Sequence, residues 1–302
     1  MTASHPAGDR SERPESTAAG IALAVGAAAT FGTLAIFAKL GYRQGADPLP
    51  LLAGRFAIAS ALLVLWQAGT RRPLLHNPRL AVRLTLLGGL YGLEASLFFL
   101  ALDNASAAVV SLIFYSYPMW TNLIGLATGI ERWHTPVAAA LGLSTIGVAS
   151  IFTVEDIGLA GPLLALAAAV SVAVYFILAQ LILRDADTYE TTTWTTIGAA
   201  VVTCVAAVIG GGALPSAALP HAAALAFASA ISFLLVYAAI ARIGSARTAV
   251  ANTMEPVTTV VLAAMVLGEA ITLRMGIGAL LVVGALPILA SAGPRPVHEP
   301  PA

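Results

Sequence analysis

The sequence predicts an all-α integral membrane protein, with ten transmembrane helices arranged as two inverted five-helix repeats. Three observations carry this. The chain is 59% hydrophobic and only 10% charged, whereas a soluble domain carries about 25% charged residues, so it has too few polar groups to coat a globule. The apolar residues fall into ten runs, each near the roughly 20 residues that cross a bilayer as a helix. A gap-free shift of 138 positions lays the first half on the second. It pairs Pro118 with Pro256, Glu131 with Glu269, Phe99 with Tyr237, Ala108 with Ala246, Thr121 with Thr259 and Leu143 with Leu281. A repeat this long is no solenoid unit; it marks two homologous halves of a membrane protein.

Residues 1–17 (MTASHPAGDRSERPEST) are polar and rich in Ser and Pro. They read as a disordered tail and not as a cleaved signal peptide, which needs a short apolar core and a cleavage site. The first repeat, 18–153, holds spans at 18–41, 48–68, 82–102, 106–128 and 135–153. The second, 159–292, holds spans at 159–183, 191–211, 219–241, 247–267 and 271–292. None alternates polar with apolar as a barrel strand does, and a helix satisfies its own backbone groups in lipid. The longer connections lie near 69–81 and 211–219, and residues 293–302 form a second tail. No soluble domain fits between the spans.

Charge sets the orientation. With a cytoplasmic N-terminus, the inside segments hold Arg10, Arg13, Arg71, Arg72, Arg79, Arg83, Arg132, Arg184, Arg242, Arg247 and Arg295, while the outside loops hold only Arg43 and Arg274. Cytoplasmic loops of membrane proteins carry such an excess. Both termini are then cytoplasmic. Five helices per half is an odd number, so the second half runs upside down relative to the first.

The stretch MEPVTTVVLAAMVLGEAITLRMGIGALLVVGAL resembles the closing helix pair of the EamA family of the drug/metabolite transporter superfamily. There an E-P dipeptide is followed by L-G-E and a Gly-rich last helix. FGTLAIFAKLG, Pro48 and Pro50 ahead of Arg55, FFLALDNASAAVVSLIFYSYP and GIER extend the resemblance over about residues 20–290. It implies ten helices, two inverted halves, the cell inner membrane, and export of amino acids or other small metabolites. The branches exporting aromatic and neutral amino acids are the most similar. Aligning the opening helices of the two halves sets Lys39 against Gln180 and Arg55 against Thr196, so the halves differ in charge.

Ionisable groups inside a bilayer are costly, and each asks for an account. Lys39 shares a helical face with Ala35, Gly32 and Ala28. That small face packs inward and points Lys39 at a cavity; the competing reading lets it snorkel to the outer interface. Arg55 reads as a structural partner of a carbonyl or an acid. Glu94 sits mid-span with Tyr91 and Phe98 on its face, suited to sensing protons or holding an ammonium, or to a buried structural pairing. Glu255 continues a stripe of Thr248, Asn252 and Thr259. Pro256 frees the Asn252 carbonyl and kinks its helix, as Pro118 does in the first half. The two prolines are candidate hinges or fixed bends. Glu131 and Glu269 read as structural, each capping the next helix or pairing with Arg132 or Arg274.

Tyr115 shares a face with Ser111, Met119 and Asn122, and Tyr175 with Ser171. Rings beside small polar groups suit a cavity for an amphipathic solute. The expected substrate site is therefore Lys39, Tyr91, Glu94, Tyr115, Tyr175, Asn252 and Glu255. Lys39 would attract a carboxylate at the outer mouth. Acidic substrates would lack a second cation.

Other classes are less well served. The lone Cys204 and five scattered histidines offer no metal site. No P-loop is present, so ATP is not the direct driver and no ATPase subunit is implied; no cofactor or nucleic acid is expected, and the expected partners are the bilayer and a small molecule. An intramembrane enzyme would need H-E-x-x-H, G-x-S-x-G or paired aspartates, and the spans hold none. Export of other metabolites or drugs is the nearer alternative.

Overall fold

Proline, glycine and short polar residues decide where the chain turns. The computed structural model describes residues 14–71, 77–102, 104, 107–151, 158–183, 187–268 and 270–291. Among these the helices are α1 (Pro14–Arg43), α2 (Pro48–Gly69), α3 (Pro78–Leu102), α4 (Ala107–Phe114), α5 (Tyr117–Ala127), α6 (Thr135–Ile151), α7 (Ala160–Ile182), α8 (Thr188–Gly210), α9 (Leu219–Ala251), α10 (Met254–Leu262) and α11 (Leu273–Ala290). Asp187 caps α8 by accepting from Tyr189 N at 3.0 Å, and Thr272 caps α11 by accepting from Met275 N at 3.3 Å. The expected tail at 1–17 gives up its last residues: α1 begins at Pro14, and Thr17 is buried. Residues 1–13, 292–302 and Glu269 lie outside the described set.

Among the described residues, seven helices are long and apolar enough to cross a membrane. The other expected spans take different forms. Span four is divided into α4 and α5, and span five is the 17-residue α6. Span nine starts inside α9, beyond Gly244, and continues through α10 into a π-helical turn at Ala263–Leu267. Gly244 has φ 81°, a backbone that an L side chain rarely adopts. The backbone leaves helical geometry at this one residue and resumes it at once, so periodicity alone does not reveal the junction. It also buries Arg247, which the charge argument counts in an inside loop.

The packing repeats itself when the halves are exchanged. In the first half α1 packs on α9 and α10; in the second, α7 packs on α3 and on α4–α5. The contact of α2 with α9 is matched by that of α8 with α3. The pairs α2–α8 and α6–α11 are their own counterparts. Such a map is what a twofold axis between halves produces. The equivalent helices α2 and α8 run antiparallel. At one end Asp47 N donates to Ala213 O at 2.9 Å and Ala213 N to Asp47 Oδ2 at 2.8 Å. At the other, Gln67 Nε2 donates to Tyr189 O at 3.0 Å, and Trp66 stacks on Tyr189 with ring centroids 4.9 Å apart. The two halves therefore point in opposite directions.

The halves meet closely where side chains vanish. A Cβ on Gly198 of α8 would lie 1.9 Å from Thr85 O, and one on Gly88 of α3 would lie 2.0 Å from Thr195 O. Small residues bring helix backbones together where lipid gives no hydrophobic drive between helices. Outside, Leu65, Leu86, Leu163, Val208, Ile209 and Leu280 are exposed. Apolar surface this continuous is a liability in water and the natural coat of a bundle in lipid.

Candidate functional site

Both halves contribute to one cavity of about 290 Å³, near the lower end of small-molecule sites, roughly 300–1,000 Å³. Its walls come from α1, α2, α3, α4–α5, α7, α9 and the 252–260 segment. Toward one end it is bounded by Ala38 and Tyr42, at the end of α1, and by Pro48 and Leu51, at the start of α2. That is the end where the Asp47–Ala213 pair ties two loops together. No described lining residue comes from α1 before Phe31 or from α2 beyond Arg55, so the opposite half of the bundle is packed shut.

Side-chain bonds hold that closed half. The Tyr175 and Tyr237 hydroxyls bond to each other, and Tyr237 Oη donates to Thr195 Oγ1 at 2.9 Å. Tyr117 Oη reaches Ala249 O at 3.4 Å, and Gln180 Oε1 accepts from Ser245 N just past Gly244. Gln67 Nε2 donates to Thr193 Oγ1 at 2.5 Å.

Two broken helices face each other across the cavity. A turn at Tyr115–Ser116 separates α4 from α5, and one at Asn252–Thr253 separates α9 from α10. Pro118 and Pro256 follow in the first turn of each restarted helix. Interrupted backbone at membrane depth is tolerated where it is buried in protein or lines a cavity, and both conditions hold. The Asn252 carbonyl expected to be free accepts from Glu255 N at 2.9 Å, because the turn tightens around it. The breaks also divide two expected faces. Thr248 is buried and donates to Gly244 O at 2.7 Å, and Met119 is exposed, so neither joins the lining.

Arg55, Glu94 and Glu255 all line the cavity. Arg55 Nε donates to Ser229 Oγ at 2.6 Å, and the guanidinium carbon lies 4.6 Å from the Phe56 ring centroid. The same guanidinium faces the Tyr91 hydroxyl and interacts electrostatically with Glu94 and Glu255. Tyr115 meets the Glu255 carboxylate, and Asn252 meets the Tyr117 hydroxyl. Tyr91 also packs its ring 5.2 Å from that of Tyr175 and 4.9 Å from that of Phe233. The result is an aromatic chamber with two acids and one cation in its wall.

Of the residues expected from sequence, Tyr91, Glu94, Tyr115, Tyr175, Asn252, Glu255 and Pro256 border the chamber. Pro118 is buried and does not line it. Lys39 is exposed and does not line it. Its helical face is spent earlier: Ala28 is buried, Gly32 packs on Thr258 of α10, and Ala35 reaches the cavity. Arg55 is the reverse case, read as structural and found in the wall. The Tyr237–Thr195 and Gln180–Ser245 contacts are not read from the sequence at all. The one available signal for them was the unusual polarity of TYETTTWTT at the start of α8. Among the described residues no group of His, Cys, Asp or Glu could hold a metal ion.

Sequence comparison finds the EamA-like transporter family twice along the chain, over residues 18–153 and 159–291. No curated protein matches the chain. Among solved structures 29 chains match. One, a crystal structure, superposes with a TM-score of 0.77 at 20% identity, covering 90% of this chain and 96% of that one. At that identity the likeness concerns the fold.

Proposed function

This chain belongs to the EamA-like transporter family, and we propose that it exports small metabolites, neutral and aromatic amino acids foremost. In this reading ten spans cross the cell inner membrane with both termini cytoplasmic. The two repeats alternate access to the chamber between them, and Pro118 and Pro256 serve as hinges. The observation that carries the proposal is the chamber itself. It lies between the repeats, is walled by Tyr91, Tyr115 and Tyr175, and holds acids and a cation within one small volume. An amino acid offers an ammonium, a carboxylate and a side chain to match those three kinds of group. Acidic amino acids would bring a second carboxylate to a wall with a single described cation.

The direct test is reconstitution. Liposomes containing the full-length protein should release preloaded labelled phenylalanine and leucine faster than protein-free liposomes, and glutamate no faster. Equal release of all three would remove the charge argument. Release of none, with an unrelated metabolite transported instead, would remove the amino-acid reading.

A further inference from the structure

The chamber contains two buried polar atoms without a hydrogen-bonding partner, and they are chemical opposites. Arg55 Nη2 is a donor and Asn252 Oδ1 an acceptor. Arg55 is 8% exposed and Asn252 3% exposed, and both side chains line the cavity from opposite halves of the molecule. The remainder of the Arg55 side chain is already fixed, by Ser229 at Nε and by the Phe56 ring beneath the guanidinium plane. Leaving a buried charged donor unmatched is costly, and a guanidinium anchored at Nε presents its outer N–H groups in the fork that suits a carboxylate.

We propose that Arg55 is the carboxylate anchor of the transported solute, with Asn252 Oδ1 and Glu255 receiving its ammonium. The assignment rests on the reading of the chamber as the substrate site and sharpens it: every good substrate carries a carboxylate. Tyr91, facing the guanidinium, closes the anchor on the α3 side. Ser229 is a positioning residue, since its Oγ accepts from Arg55 and itself donates to Leu225 O at 2.6 Å. Lys39, exposed outside the chamber, takes no part in holding the anion.

Purified full-length protein in detergent, titrated by calorimetry, tests this with three probes. They are phenylalanine, 3-phenylpropionate (carboxylate only) and phenylalaninamide (ammonium only). Arg55→Gln should weaken binding of the first two about 10- to 100-fold, the range for losing a charge-assisted hydrogen bond, and leave the amide within about twofold. Arg55→Lys should recover part of the loss. Ser229→Ala should weaken the two acids about 2- to 10-fold without affecting the amide, and it carries the comparison if Arg55→Gln does not fold. Unchanged affinity for the acids in these variants, or equal losses for acids and amide, overturns the anchor. Phenylpropionate binding through Arg55 without phenylalanine binding sinks the amino-acid reading and leaves the anchor standing. Phenylalanine transport that ignores Arg55 does the opposite. Failure of both acids to bind wild type removes both.

Discussion

Tyr175 has two jobs that different substitutions separate. Its ring is part of the chamber wall, and its hydroxyl ties α7 to Tyr237 on α9. It is 1% exposed, so Tyr175→Ala should cost about 3–5 kcal/mol in stability, as for other large buried rings. Tyr175→Phe keeps the ring and should cost only about 1 kcal/mol, because Tyr237 retains Thr195. Tyr91 and Tyr115 are only partly buried, so their alanine variants should fold and report on the chamber directly. We expect each to lower transport per folded protein several-fold and to relax the preference for aromatic solutes. Wild-type transport and selectivity in both would put the substrate elsewhere. At this scale the sequence was partly legible. Helical spacing places Tyr91 with Glu94 on one face, whereas Asn252 and Glu255 stay close through the turn between them, where Glu255 N donates to the Asn252 carbonyl. It cannot say how far along α1 the inward face stays covered: Gly32 meets Thr258 and Ala35 the cavity, but Lys39 is exposed. Nor can it show that Arg55, about two turns into α2, meets Ser229 across the repeat boundary.

A helix in this bundle is defined as much by what interrupts it as by its length. Both prolines announced their breaks, since a proline denies its helix one N–H and crowds the preceding turn. The actual turns, at Tyr115–Ser116 and Asn252–Thr253, lie just ahead of Pro118 and Pro256. By contrast, the run from Leu219 to Ala251 joins expected span eight to the start of span nine through Gly244, because a polar loop is unnecessary where one glycine can turn the chain. Two predictions follow from element geometry. Pro256→Ala restores a backbone donor beside Asn252, and we expect it to slow turnover more than it weakens substrate binding. Loss of binding with normal turnover would make Pro256 a wall residue only. Gly198→Ala forces a methyl against Thr85 O and should destabilise the α3–α8 contact by about 1–3 kcal/mol, the usual cost of overpacking. Gly142→Ala, where nothing lies within 4 Å, should be neutral or slightly stabilising. Thermal unfolding of the two variants in one detergent makes the comparison, and equal melting temperatures would contradict the close approach.

For the whole molecule, the duplicated halves explain why so much of the architecture could be read in advance: an odd helix count and the arginine bias together demand inversion. The antiparallel α2–α8 pair displays that inversion without reference to a membrane. What the sequence could not supply is which end of the chamber is open, because both ends are built from equivalent helices. The chamber extends toward Ala38, Tyr42 and Pro48, the end carrying the Asp47–Ala213 tie. By the arginine argument that end is external. Reporter fusions after Ala68, Gly212 and Ala302 should then read inside, outside and inside. Thiol labelling makes a sharper test. Cys204 is exposed on α8 and is first replaced by Ser. In that background Ala38→Cys should react with a membrane-impermeant maleimide added to intact cells. Ser245→Cys, fully buried beside Gln180, should not react from either side at rest. It should become reactive from the cytoplasmic side, in inverted vesicles, when conditions favour the inward-facing state. If Ala38→Cys is labelled only from the cytoplasmic side, the assigned orientation is upside down. If Ser245→Cys never reacts while transport continues, the Gln180–Ser245 contact is a fixed strut, and the moving gate must lie nearer to Tyr175 and Tyr237.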